Sequence, residues 1–436
     1  MRRIFQNKST LFALAILYSM FIEARYAVAQ TAAPDFLMNR GVLDTVHSTL
    51  LNEDRLIYVD FPLGYNPNSK QKYPVAFLLD GDVLLPAAGV VQDYYSGGFT
   101  PEMIIIGISN SENRTRDLTP PRIDLATTKN EASDKMEEVM TPVSSAEGEA
   151  SVFLEFIEKE LIPHVESKYP VTDFRTLIGH SYGGLFTVFA LSEKPKLFNY
   201  YLAIDPSMDW SGGYYHHKLK EKLSNIELTG RSIFITMSGQ LHFQDTSVTI
   251  ANVRQDNSWQ TEFPRAILQT IDELESLKSA GLKVDFKFFE RDFHGTVPLP
   301  SLIEGNLSLF KWYQMEGTHK INDPKTSIES LESLMNYRSE KLKLNFGYAV
   351  PPYPEELLNM SGYMHMDMGN LEKSKMYFLA AIQYYPNSAN VYDSMADYYV
   401  KIGDLNEALN SLQRAQELAP SEYFQTRIKD LKKELR

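Results

Sequence analysis

Six short apolar runs, separated by amphipathic stretches of helical period, constrain this chain more than any other feature. The runs are Val75 to Leu79, Met103 to Ser109, Thr176 to Gly179, Tyr200 to Ile204, Ser232 to Met237 and Val284 to Phe289, each bounded by turn residues. Runs this short and predominantly apolar suit strands buried on both faces, as in a parallel sheet. Between them, Ser151 to Val165, Gly184 to Ser192, Phe263 to Leu277 and Ser301 to Tyr313 carry apolar residues at helical spacing. Strands alternating with helices imply a doubly wound α/β sheet. Upstream, Asp44 to Leu51 and Arg55 to Phe61 alternate apolar and polar residues across Asn52-Glu53-Asp54, the pattern of a half-exposed edge hairpin.

Near Met315 the alternation gives way to helical patterning throughout. A period of 34 residues then links Gly369 to Gly403, Ala381 to Ala415 and Pro386 to Pro420, the period of the tetratricopeptide repeat. In the second copy Tyr392, Ala396, Gly403, Ala408 and Pro420 fall at small or apolar packing positions; the first copy is weaker, with Ser361 and His365 where apolar residues are expected. Two repeats are too few to stand alone, so a helix from about Glu422 to Glu434 and docking on the preceding domain are expected to complete them.

The first 29 residues read as an export signal: Arg2, Arg3 and Lys8 open it, Leu11 to Ile22 is apolar, and Ala27-Val28-Ala29 is a small-residue cleavage site. An apolar run of 12 residues before Glu23 is shorter than the roughly 20 that a membrane-spanning helix needs. A periplasmic or secreted location follows. The formal net charge is −13, and the leader removes more basic than acidic residues. So acidic a protein repels phosphate backbones, which excludes nucleic acid as an expected partner. The chain has no cysteine, which excludes disulfides, thiolate nucleophiles and Cys-type zinc sites. Neither a His-Glu-x-x-His helix nor a carboxylate loop of calcium spacing occurs, so no metal is expected. The stretch 117–149 is rich in Thr, Ser, Glu and Pro and lacks periodicity; it reads as a lid or as a surface excursion. The expected organisation is a signal peptide over 1–29, an α/β domain over 30–314, a helical linker over 315–354 and tetratricopeptide-like repeats over 355–436.

Chemistry concentrates in Thr176-Leu177-Ile178-Gly179-His180-Ser181-Tyr182-Gly183-Gly184-Leu185, a strand running through G-x-S-x-G into a helix. A serine on so tight a turn takes strained dihedrals and needs small residues two positions to either side, which Gly179 and Gly183 supply. The helix that starts beside the hydroxyl lets the N–H of Tyr182 donate to an oxyanion. A neutral hydroxyl needs a base. His294 is the candidate, since it follows the last apolar run and precedes Gly295 and a helix; His216, His217 and His242 read as solvated or substrate-facing. The acid is expected between serine and histidine in the chain. Asp256 is favoured for its closeness to the helix near Phe263, Asp245 is second, Glu262 shares the loop, and Asp205 is an outside candidate; a Ser–His dyad without a strong acid stays open. The second oxyanion donor is expected from Asp80-Gly81-Asp82-Val83, at the N–H of Asp82.

Taken together, the chain resembles the putative-esterase family of α/β-hydrolases, which includes siderophore esterases, S-formylglutathione hydrolases, feruloyl esterases and mycolyltransferases. The resemblance runs from about Leu43 to Tyr313. It rests on Leu78-Leu79-Asp80-Gly81-Asp82, Ile106-Gly107-Ile108-Ser109-Asn110, Arg114-Thr115-Arg116-Asp117-Leu118-Thr119-Pro120, the serine turn, Ala203-Ile204-Asp205-Pro206-Ser207 and His294-Gly295-Thr296-Val297-Pro298-Leu299-Pro300. It implies an α/β-hydrolase fold, followed here by a small all-α tetratricopeptide-like domain. It also implies hydrolysis of small, siderophore-like carboxylic esters through an acyl-serine, without a cofactor. By the same resemblance Trp210 belongs near the substrate, although Asp209 stands where relatives often have a second tryptophan. Arg114 and Arg116 either hold an anionic substrate or pair with local carboxylates. An acyltransferase using the same residues, and a scaffold recruiting a protein partner through the repeats, are the competing classes.

Overall fold

The computed structural model describes residues 41–67, 71–123 and 148–435. The signal peptide read in residues 1–29 lies outside them, as does most of the expected lid, residues 124–147. Eight strands form one sheet: β1 (Val42–Ser48), β2 (Glu53–Asp60), β3 (Tyr73–Leu78), β4 (Ile104–Ile108), β5 (Val171–His180), β6 (Tyr200–Ile204), β7 (Ser232–Ser238) and β8 (Lys283–Phe289). Their order is β1-β2-β4-β3-β5-β6-β7-β8. β1 and β2 form an antiparallel hairpin, β2 lies antiparallel on β4, and all other pairings are parallel.

The six expected runs are therefore β3 to β8. β5 starts earlier than its apolar run because Val171 pairs with Tyr73 and Phe174 is buried. The edge hairpin turns sooner than expected, with Glu53 and Asp54 already in β2. Its turn is held from outside: Glu160 accepts hydrogen bonds from the Ser48 and Thr49 hydroxyls and from the Thr49 and Leu50 N–H groups.

Alternate strand residues feed two cores on opposite faces. Val75 and Phe77 enter one, packed under α2 (Ala150–Phe156, a π turn Ile157–Leu161, then Ile162–Lys168), α3 (Tyr182–Glu193) and α4 (Glu262–Glu275). Ala76 and Leu78 enter the other, under α1 (Gly81–Tyr95) and α5 (Pro298–Leu309). α3 is buried continuously from Gly183 to Leu191, as a helix that is apolar all round must be.

Helix α6 (Ile328–Phe346) joins two cores. Its end places Leu342 and Phe346 among Phe174, Tyr200 and Phe310 of the hydrolase, while Leu331 and Met335 pack with Tyr353 and with Leu358 and Tyr377 of the repeats. Between them Arg338, 2% exposed, donates to the carbonyls of Tyr313, Gln314 and Pro352. The repeats are α7 (Glu355–Asp367), α8 (Leu371–Tyr384), α9 (Ala389–Ile402) and α10 (Leu405–Leu418), closed by α11 (Glu422–Glu434). The two polar residues of the weaker copy are accommodated locally: Ser361 donates to the Leu357 carbonyl at 2.7 Å, and the buried His365 ring stacks on Tyr377 at 5.6 Å. Among the described residues no helix is long and apolar enough to cross a membrane.

Candidate active site

Ser181 follows β5 in a conformation that few non-glycine residues adopt, φ 60° and ψ −117°. Close approach on both sides enforces the turn. A Cβ on Gly179 would meet the Gly183 carbonyl, and one on Gly184 would lie 2.9 Å from Pro206. The first hydrogen bond of α3 runs from Leu185 N–H to the Ser181 carbonyl (2.9 Å), so the amide of Tyr182 stands ahead of the helical ladder.

The other oxyanion candidate has a parallel setting. Asp80, at φ 52°, opens α1, and the first bonds of that helix run from Val83 and Leu84 to the Asp80 carbonyl, which leaves the amide of Asp82 ahead of them. Gly81 is required there, because a Cβ would overlap the backbone of Gly107 on β4. Two helix N-termini, each with the positive end of its dipole, thus stand at the ends of β3 and β5, neighbouring strands in the sheet.

His294 lies in the loop between β8 and α5, and its Nδ1 pairs with Asp205 Oδ2 at 2.7 Å. Asp205 follows β6, is fully buried, and accepts the Ser238 N–H on Oδ1 at 2.8 Å. The carboxylate against His294 is thus the outside candidate of the sequence reading. The favoured Asp256 accepts the Ser258 N–H at 2.7 Å, and Asp245 accepts the Ser247 N–H at 2.8 Å. Hydrogen bonds from the Ser247 side chain and amide hold the Asp245 carboxyl below the usual range, those from the Ser258 amide and side chain do the same for Asp256, and neither carboxylate bonds His294. Each closes a local turn beside His242, whose Nδ1 accepts the Gln244 and Asp245 amides. The physical reason is strand register: β6 and β7 end side by side, so the Ser238 amide holds a carboxylate presented from β6.

Three further groups surround the serine. Ser207 places its hydroxyl 3.3 Å from the Ser181 hydroxyl. His180 packs its ring 4.6 Å from that of His294. Arg114 donates Nε and Nη2 to the two oxygens of Asp80 (2.8 and 3.0 Å), donates Nη2 to the His180 carbonyl (3.3 Å) and lies over the Tyr182 ring at 5.3 Å. Burial raises the Asp80 carboxyl pKa while Arg114 pulls it down. Arg114 therefore ties the loop after β3 to the serine turn. Arg116 takes the second of its two expected roles, pairing with local carboxylates: its donors are engaged by Glu53 and the buried Asp117, in a network that continues to Arg55 and Asn110. Trp210, 8% exposed, is a support rather than an open wall. Its Nε1 donates to the Pro120 carbonyl at 2.9 Å, and its ring meets Tyr182 edge-on at 5.5 Å.

Residues 48–278, more than half of the chain, match the family described as putative esterase. The chain belongs to that family. Residues 355–388 and 389–422 match tetratricopeptide repeats. The esterase is 26% identical over 242 residues to the siderophore triacetylfusarinine C esterase of Aspergillus fumigatus, covering 52% of this chain and 70% of that protein. It is 27% identical over 267 residues to the ferri-bacillibactin esterase BesA of Bacillus subtilis, covering 58% and 83%. Among solved structures it is similar to an IroE-like serine hydrolase from Shewanella oneidensis, with a TM-score of 0.59, 25% identity, and 78% and 98% of the two chains covered. The protein is a carboxylic ester hydrolase of the α/β-hydrolase fold.

Proposed function

We propose that the esterase works through an acyl-serine intermediate, with Ser181 as nucleophile, His294 as base and Asp205 as the carboxylate that orients it. The observation that carries this is the 2.7 Å pair between His294 Nδ1 and a fully buried carboxylate, beside a serine on a strained strand-to-helix turn. Asp205 on Nδ1 keeps that nitrogen protonated and leaves Nε2 as the acceptor. Catalysis then requires the Ser181 hydroxyl to turn from Ser207 towards His294 Nε2; such bonds commonly tighten only when substrate binds. Oγ attacks the ester carbonyl as its proton passes to Nε2, and the amides of Tyr182 and Asp82 receive the oxyanion. The leaving alcohol takes the proton, and water repeats the sequence to release the acid.

The proposed substrates are small esters of siderophore type, in keeping with the names of the relatives, and the proposed setting is the periplasm or the exterior, in keeping with the leader read in residues 1–29. An acyltransferase would use the same residues, but the named relatives are esterases, so water is the proposed acceptor. The repeats are proposed as a buttress, because α6 shares its apolar residues between both cores. The test is Ser181→Ala assayed on short p-nitrophenyl esters and a siderophore ester panel. Loss on the order of 10⁶-fold in turnover is expected from a comparable triad, and activity within tenfold of wild type would refute the assignment.

A further inference from the structure

The turn that contains His294 leaves one of its own carbonyls without a helical donor. Thr296 and Val297 N–H groups both go to the Phe293 carbonyl, at 2.9 and 3.0 Å. The donor one turn beyond His294 would be residue 298, which is proline and has no N–H. His180 takes that place: its Nε2 lies 2.9 Å from the His294 carbonyl oxygen. A carbonyl oxygen can only accept, so the His180 ring is the donor and its Nε2 carries the proton.

We infer that His180 is a positioning residue for His294, acting through the main-chain carbonyl of that histidine. The inference rests on the serine–histidine reading above. His294 is then held at two points, its ring by Asp205 and its backbone by His180. His180 is itself anchored, because it ends β5, pairs with Ile204 of β6 and has its carbonyl bonded by Arg114. The residue before the nucleophile therefore sets the position of the base, and a shift of β5 moves Ser181 and His294 together. Burial, with the neighbouring His294 adding to it, brings the His180 pKa down to about 4, so the ring is neutral at physiological pH and adds no cation beside the base. Against a purely structural role, the contact is made by one atom, Nε2, to the residue that accepts the proton.

Three substitutions distinguish the roles. Glutamine carries an amide N–H near the position of histidine Nε2, asparagine near that of Nδ1, and leucine carries no donor. With kcat and KM measured on a p-nitrophenyl ester, His180→Leu and His180→Asn are expected to lose about 10- to 100-fold in kcat with KM within about threefold, the scale of a displacement of about 1 Å at the reacting groups. His180→Gln is expected to return kcat to within about fivefold of wild type. Equal loss in the Gln and Asn variants, or a Leu variant within twofold of wild type, overturns the inference. Should the Leu variant not fold, the Gln–Asn comparison decides alone. Ser181→Ala assayed alongside separates the two questions: activity surviving there sinks the serine reading, whereas an inactive Ser181→Ala beside an unaffected His180→Leu sinks only the positioning role.

Discussion

Asp205→Asn is the substitution that separates the geometry of this site from the acid first favoured in the sequence. In the native protein Oδ1 accepts the Ser238 N–H at 2.8 Å and Oδ2 faces His294 Nδ1 at 2.7 Å. Asparagine keeps the shape and has one acceptor oxygen. The Ser238 amide can only donate, so it claims that oxygen, and the NH₂ group is left facing Nδ1. His294 must then carry its proton on Nε2, where it cannot accept one from Ser181. In a chemically comparable triad the same change lowers kcat about 10⁴-fold, or about 5 kcal/mol of transition-state stabilisation. The assay is steady-state hydrolysis of a p-nitrophenyl ester, with Asp256→Asn and Asp245→Asn in parallel. Both control carboxylates bond the turn that follows them, so their kcat is expected to stay within about twofold of wild type. An Asp205→Asn enzyme within tenfold of wild type, or an equal loss in Asp256→Asn, would show that the pairing with His294 is not the catalytic one.

Other outcomes follow from packing and titration. Phe346→Ala, which removes a ring 4.8 Å from Trp312 and 5.2 Å from Phe174, is expected to cost about 3–5 kcal/mol in denaturant unfolding; a cost below about 1 kcal/mol would mean that α6 does not share the hydrolase core. A chain ending after Gln314 uncovers Phe174, Phe310 and Trp312 and is expected to aggregate, whereas a monodisperse active product on size exclusion would count against buttressing. Gly179→Ala places a methyl into the Gly183 backbone, so soluble protein with wild-type fluorophosphonate labelling would contradict the described turn. His180 is held neutral down to about 4 in the folded state against 6.5 ordinarily, so the unfolded chain binds the extra proton first. Stability is therefore full above pH 6.5 and falls by up to about 3 kcal/mol as the pH drops towards 4. His180→Gln should flatten that part of the profile, and an unchanged slope would show that the ring is not buried as described.

The strands were legible because a parallel sheet buries both faces of its inner strands, so β3 to β7 stand out as apolar runs whatever their order, while β8, at the sheet edge, shows as an alternation of exposed Lys283, Asp285 and Lys287 with apolar residues. The serine turn was legible because backbone crowding restricts side-chain size, although the crowded positions are Gly179 and Gly184, and a Cβ on Gly183 would come no closer than 3.4 Å to a neighbour. The carboxylate that pairs with His294 was not, because a chain order of serine, acid and histidine admits Asp205 as well as Asp256, and the choice depends on β6 and β7 ending side by side. One sign was present: Asp205 is a lone carboxylate between an entirely apolar strand and a proline, with no charged neighbour in sequence to solvate or pair it. His180 was hidden for a different reason, since it acts on a backbone oxygen 114 residues away, which no side-chain pattern records. For Arg116 the sequence leaves substrate contact and carboxylate pairing both open, and Trp210 is placed near the substrate by family resemblance alone; only the three-dimensional pairing with Glu53, Asp117 and Pro120 shows where their donors go.

Because the carboxylate facing His294 comes from the end of β6, the proposed proton path needs no carboxylate from the segment between β7 and α4. That segment carries Phe243, Ile250 and Trp259 on its surface. Side-chain exchanges at these three exposed positions leave the bonds among Asp205, His294 and the Ser238 amide in place, whereas the start of the segment is fixed, because the Gly239 N–H bonds the Asp292 carbonyl two residues before His294.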